Sequence, residues 1–219
     1  SIMIPSVKAE NATFEDGDYE CELGEDGTAI ITEYKGSETE LSIPGTLGGK
    51  VVTAIGPYAF EYNDALASVV IPEGVRSIGE GAFTACEQLA GVTFPGSLIS
   101  IGEGAFASCE ALITVNLPEN LAEIGSAAFG KCTGLTEVTL PGSLSLIGEG
   151  AFGACMALKA YEVSPTNAVY ESIDGVLFDK TAKTLLSYPS GKPDQRYKIP
   201  QGTIALSPFS FVYAVLLED

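Results

Sequence analysis

The 219-residue chain contains neither histidine nor tryptophan. The first absence removes the commonest general base and the commonest nitrogen ligand for metals. The second removes one of the aromatic platforms on which sugars and cations stack. Basic residues are scarce as well. Eleven Lys and Arg stand against 29 Asp and Glu, a formal net charge of -18, so the field of the protein opposes phosphate backbones and anionic lipid surfaces. Nucleic acid is not an expected partner. No apolar run approaches the roughly 20 residues that a membrane-spanning helix needs. The longest candidate, Phe209 to Leu217, is too short, and membrane insertion is not expected.

What is present is repetition. The phrase Ile-Gly-x-x-Ala-Phe-x-x-Cys, followed by Leu, Val, an apolar residue and Pro, returns every 23 residues. Phe60, Phe83, Phe106, Phe129 and Phe152 keep this step, as do Cys86, Cys109, Cys132 and Cys155, and Leu66, Leu89, Leu112, Leu135 and Leu158. A strict period of this length is the signature of a solenoid, in which each unit buries its apolar face only against its neighbours. With 46% apolar residues the chain has ample material for such a core.

Within one unit, Val69 and Ile71 alternate with polar or exposed positions and Pro72 stops the run, which reads as a short strand. Stacked in register, these strands form a parallel sheet with a step of about 4.8 Å. The columns Val69, Val92, Val115, Val138 and Ile71, Phe94, Leu117, Leu140 point inward. The next apolar positions, Val75, Leu98, Leu121, Leu144 and Ile78, Ile101, Ile124, Ile147, are three apart. That spacing predicts a turn of helix or 3₁₀-helix on the opposite side.

The pattern Leu-x-x-(Ile/Val)-x-(Ile/Leu)-Pro…Ile-x-x-x-Ala-Phe-x-x-Cys resembles the BspA-type leucine-rich repeats of bacterial surface proteins, over roughly Ser42 to Leu217. The resemblance implies an α/β leucine-rich-repeat solenoid with parallel strands on a concave face and short helical or 3₁₀ turns on the convex side. It also implies a secreted or surface-anchored protein of a host-associated bacterium that binds other macromolecules. No shared catalytic site comes with the family.

The regular stretch is expected over 51–163, preceded by an N-terminal cap over 14–50 and a leader remnant or flexible N-terminus over 1–13. Ser1 to Ala9 reads either as the tail of a secretory signal, with cleavage before Glu10, or as a flexible terminus. In the cap, Gly27-Thr-Ala-Ile-Ile-Thr reads as part of a hairpin and Leu41-Ser-Ile-Pro44 as a first, irregular strand. From Val163 to Ile199 the interval is 36 residues, so the register is broken by an insertion over 164–198. Ile173-Asp-Gly-Val176 is a two-residue hairpin signal, and the insertion is read as a small β unit in line with the sheet. An incomplete repeat closes the chain over 199–219, with Leu206 and Phe211 at the Ile and Phe positions. Either the native chain continues past Asp219, or Phe209–Leu217 packs against another molecule, end-to-end self-association being one form of this.

Chemical readings of the repeats are weak. The cysteines form a structural ladder, with Asn63 at the same position of the first copy, and in-register side chains point in parallel rather than towards one another. Free buried thiols are expected. Without His or a Cys-x-x-Cys pair, a linear column does not offer zinc its tetrahedral geometry, and no cofactor is expected. Gly148-Glu-Gly150-Ala-Phe-Gly153 matches a dinucleotide fingerprint, but its sister copies mark it as repeat punctuation. Glu80, Glu103 and Glu149 read as a solvated acidic row, and nothing singles out a carboxylate pair for glycoside hydrolysis.

Function is therefore expected on the outward positions of the strands, a concave strip formed by Thr93, Thr114, Asn116, Glu137, Thr139 and Glu162. It is small, polar and short of aromatic or Arg anchors. The expected activity is non-enzymatic binding of an extracellular protein, as in adhesion. A glycan partner is the alternative, which needs Tyr170, Tyr188 and Tyr197 exposed as stacking platforms. A structural spacer within a longer surface protein is the third.

Overall fold

Each 23-residue unit lays down two short strands rather than one. The computed structural model describes residues 12–181 and 183–218, so the reading of Ser1 to Ala9 lies outside the described residues. Three antiparallel strands open the fold, β1 (Thr13–Asp16), β2 (Tyr19–Leu23) and β3 (Ala29–Tyr34). They are followed by β4 (Glu40–Ser42), β5 (Thr46–Leu47) and β6 (Lys50–Ile55). The repeats then alternate between two ladders. The first receives β7 (Ser68–Val70), β9 (Gly91–Thr93), β11 (Thr114–Val115), β13 (Glu137–Leu140) and β15 (Ala160–Val163), paired as two segments, β4-β7-β9 and β11-β13-β15, with no strand pairing between β9 and β11. The second receives β8 (Ser77–Ile78), β10 (Ser100–Ile101), β12 (Glu123–Ile124) and β14 (Leu146–Ile147).

Pairing within both ladders is parallel and steps by one repeat. Val69 lies opposite Val92 and Val138 opposite Tyr161 in the first, and Ile78, Ile101, Ile124 and Ile147 follow one another in the second. The irregular Leu41 strand joins the first ladder through β7, whereas the cap joins the second, because β3 runs parallel to β6.

The second ladder corrects the expectation of helical or 3₁₀ turns. No helix of either kind occurs among the described residues, and the architecture is an all-β solenoid. The physical reason lies in the Ala-Phe segment. A helix needs negative φ at every residue. Here Ala85, Ser108, Lys131 and Ala154 adopt φ of 57°, 61°, 61° and 58°, and Gly81, Gly104 and Gly150 are left-handed four residues earlier. This alternation turns every second N–H along the stack, so that it donates to the next turn. Phe83 donates to the Ala105 carbonyl, Phe106 to Ala128 and Phe129 to Ala151, each at 2.7 Å. The flanking pairs Gly104 to Ser126 and Ala127 to Glu149 follow the same rule, at 2.9 and 3.0 Å.

The repeated Ile-Gly step has an equally direct cause. A Cβ on Gly102 would lie 2.8 Å from the Glu80 nitrogen, and one on Gly148 would lie 2.2 Å from the Ser126 nitrogen. Successive turns meet backbone to backbone here, which leaves no room for a side chain. Inside, the phenylalanines form a continuous stack. Centroids from Phe60 through Phe83, Phe106 and Phe129 to Phe152 are 4.7, 5.1, 5.3 and 5.3 Å apart. Tyr34 extends the stack into the cap at 5.2 Å from Phe60.

Beyond the regular turns come β16 (Tyr170–Ile173), β17 (Val176–Asp179), β18 (Thr184–Ser187) and β19 (Ala205–Leu206). The first three are antiparallel neighbours, and the Asp174–Gly175 turn has φ of 53° and 75°, both positive as a type I′ hairpin requires. These strands do not continue either ladder, contrary to the reading of an insertion in line with the sheet. They make a separate four-stranded sheet, in which β18 runs parallel to β19 and Leu185 lies opposite Leu206.

Candidate interaction surface

The six residues read from the sequence stand on one face. Thr93, Thr114, Asn116, Glu137, Thr139 and Glu162 are all exposed, while the alternating Val69, Val115, Val138 and Tyr161 are buried. Parallel register sorts the strip into two rows. Val70 pairs with Thr93 and Thr139 with Glu162, while Asn116, 23 residues from Thr93 and from Thr139 in sequence, lies just beyond β11 and outside the paired register; Thr114 pairs with Glu137, and Glu137 with Ala160. At a parallel-strand step of about 4.8 Å, the row from Val70 to Glu162 is about 19 Å long. With a width of about 10 Å it offers roughly 200 Å², against about 800 Å² per partner in a stable interface. A partner seated on the strip must therefore also cover residues beside it, such as Ile113, which precedes β11 and is 55% exposed.

The cysteine column is inert by construction. All five cysteines are free and buried, as expected. The Cys86 thiol donates to the Phe60 carbonyl at 3.1 Å, and Cys109, Cys132 and Cys155 donate to Phe83, Phe106 and Phe129 at 3.2 Å each. Each thiol thus ties its turn to the preceding one. Burial pushes Cys86 up to about 11 and Cys155 up to about 12, and it raises Cys109 and Cys132 too.

A testable consequence concerns alkaline pH. An unfolded thiol ionises near 9, the folded one only above its raised value, so the stabilisation is complete below pH 9 and is lost as pH rises through the folded pKa. Unfolding by urea is expected to become easier by about 1 kcal/mol per thiol per pH unit between pH 9 and 11. A flat profile over that window would contradict thiol burial.

Other candidates disperse. Glu80, Glu103 and Glu149 are exposed, as the reading of a solvated row requires. Among the described residues no group of three or more His, Cys, Asp and Glu side chains is placed to hold a metal. Tyr170 and Tyr188 are buried at 6% and 4% exposure and Tyr197 is half-buried, so the insertion presents no row of exposed tyrosines for sugar rings. Tyr188 and Phe211 instead stack at 5.4 Å in a second small core.

Two features escaped the sequence reading. Asn167 is buried, and its amide donates to the carbonyls of Pro141 and Leu144 at 2.8 and 2.9 Å while its oxygen accepts from the N–H groups of Val169 and Tyr170 at 2.9 and 2.7 Å. The Tyr170 hydroxyl then closes the end of the second ladder, accepting from Ile147 N–H at 3.0 Å and donating to the Ser145 carbonyl at 3.3 Å. The other feature is a cleft of about 210 Å³ where the last regular turn, the insertion and the final repeat meet.

A family model described as "BspA type Leucine rich repeat region" matches residues 53–182 in six copies. No curated protein matches the sequence. Among solved structures, a leucine-rich repeat protein of T. pallidum is similar at 26% identity and a TM-score of 0.68, covering 94% of this chain and 92% of that one. A leucine-rich cell surface protein of Faecalibacterium prausnitzii is similar at 27% identity and a TM-score of 0.57, over 89% of this chain and 66% of that one. The pneumococcal vaccine antigen PcpA is similar at 25% identity and a TM-score of 0.69, over 92% of this chain and 62% of its own. The chain thus spans slightly less than two thirds of the latter two. No helix among the described residues is long and apolar enough to cross a membrane.

Proposed function

Because the chain belongs to the BspA-type leucine-rich repeat family, we propose that it is an extracellular, non-enzymatic binding module whose partner is a protein. Such repeats are interaction scaffolds, and one similar structure is described as a cell surface protein, which supports a surface location. The observation that carries the reading is that Thr93, Asn116, Thr139 and Glu162, which recur at the 23-residue step, are all exposed, with Val70 paired to Thr93 and Thr139 to Glu162 by parallel register. Repetition makes the surface extended and even, suited to a broad partner rather than a small substrate.

The row contains no Trp, Tyr or Arg, the residues that dominate binding hot spots. A single module is therefore expected to bind weakly, and adhesion by many copies on one surface would gain through avidity. Apolar side chains at Phe209, Val212, Val215 and Leu216 are 69%, 53%, 65% and 48% exposed, which supports end-to-end association between copies as a separate part of the proposal. The test is capture of the purified protein on arrays of extracellular host proteins and of glycans. Binding to a protein supports the module reading. Binding to glycans alone would overturn it, and silence on both arrays would favour a spacer.

A further inference from the structure

The cleft beyond the last regular turn has the form of a turn that is missing from the stack. In every earlier copy, three alternate N–H groups of the Ala-Phe segment donate to carbonyls of the next turn, as Ala127, Phe129 and Lys131 do to Glu149, Ala151 and Gly153. The insertion carries the chain away after this point. For the equivalent donors Gly150, Phe152 and Ala154, no carbonyl of a following turn stands opposite among the described residues. Two of these three, Gly150 and Phe152, line the cleft.

The aromatic column is interrupted at the same place. Phe152 stacks on Phe129 at 5.3 Å with planes 2° apart, but on its other side it meets only the edge of Tyr161, at 5.8 Å and 71°. Stacking resumes with Tyr188 on Phe211. Between these rings lies the cavity, its floor tied by the 2.9 Å hydrogen bond of Tyr161 to Ser187 and its mouth flanked by Phe209 and Tyr213. A volume of about 210 Å³ exceeds the roughly 150 Å³ of an engineered cavity that takes up benzene. It therefore holds one aromatic ring with a little main chain. Exposed Glu149 on the wall and the net charge of -18 disfavour an anionic guest.

We propose that this cleft binds an aromatic side chain from an extended segment of another protein, whose main-chain carbonyls, two residues apart, accept hydrogen bonds from Gly150 and Phe152. The guest supplies what each following turn supplies elsewhere in the solenoid, a ring above the phenylalanine and acceptors beside it. This is edge augmentation of the kind by which peptides add to open sheets, and the site is separate from the strip on the first ladder.

The probe is the capped, neutral hexapeptide Gln-Gly-Ala-Phe-Ala-Ser, copied from residues 103–108 with Gln in place of Glu103, added to the full chain at about 1 mM, where weak contacts register. The amide resonances of Gly150 and Phe152 are expected to shift, and their hydrogen exchange to slow at least about tenfold. The same peptide with Ala in place of Phe is expected to do neither. Gly153→Leu places a side chain against Tyr213 and is expected to weaken binding at least about tenfold. Three of the four equivalent positions carry side chains, Glu61, Thr84 and Ala107, and the fourth is Gly130; a Cβ on Gly153 lies 3.1 Å from the Gly150 carbonyl, which must give by a few tenths of an ångström. Ser207→Leu on the opposite wall serves as a second block if Gly153→Leu alters the circular dichroism. No shift at either amide, equal shifts with both peptides, or amides already protected in the free protein would each overturn the proposal.

Discussion

Phe106→Ala is expected to destabilise the protein by about 3–5 kcal/mol, the range for removing a buried phenylalanine. The ring is fully buried, stacked between Phe83 and Phe129 at 5.1 and 5.3 Å and met edge-on by Phe94 at 5.6 Å. Its neighbours are fixed by backbone bonds on both sides, so the site has little freedom to collapse, and a cavity remains. For a chain of this size each kcal/mol lowers Tm by about 2–4 °C, so a loss of about 6–20 °C is expected. Phe152, with a stacked ring on one side only and the cleft on the other, is expected to lose less on the same change. Urea unfolding of both variants measures the difference. A loss below about 1 kcal/mol for Phe106→Ala would mean that the stack does not carry the interfaces between turns.

Asn167→Leu is expected to cost as much without creating a cavity. Leucine is close in shape, but it leaves the Pro141 and Leu144 carbonyls and the Val169 and Tyr170 N–H groups without their side-chain partners. Each buried polar group left unpaired costs about 1–3 kcal/mol, and partial relaxation should hold the total near 3–5 kcal/mol. Asn167→Asp separates hydrogen bonding from shape. Its oxygen still accepts from Val169 and Tyr170, but at neutral pH a carboxylate then faces two carbonyls. The Asp variant is therefore expected to regain stability as pH falls and the acid protonates into a donor. Equal losses for the Asp variant at pH 7 and pH 4, measured relative to wild type, would contradict this assignment.

Much of the fold was legible because the period is strict. The Phe and Cys columns and the Val69 and Ile71 positions follow from one repeat copied by translation, and the type I′ turn at Asp174–Gly175 follows from local chemistry. The second ladder was not legible. Its strands are two residues long, and Val75 and Ile78 are three apart, which locally is a helical spacing. What makes Ile78 a strand residue is pairing with Ile55 and Ile101, each 23 residues away. Left-handed Ala85, Ser108 and Lys131 are likewise imposed by bonds to the next turn, against the preference of each residue taken alone. Asn167 works through Pro141, 26 residues earlier, and no local pattern announces it. The exposed row of Thr93, Asn116, Thr139 and Glu162 was readable from alternation alone. The cleft was not, since it arises from what a break in period leaves unpaired.

The central functional claim is that a partner sits on this row. The most direct measurement is the Kd of the protein captured on the arrays for wild type and for Asn116→Arg, with Glu103→Gln as a control of equal charge change outside the strip. Asn116 is exposed and central in its row, so the variant should fold normally and lose at least about tenfold in affinity, about 1.4 kcal/mol, while the control binds as before. Unchanged binding by a folded Asn116→Arg variant would place the interface elsewhere on the solenoid.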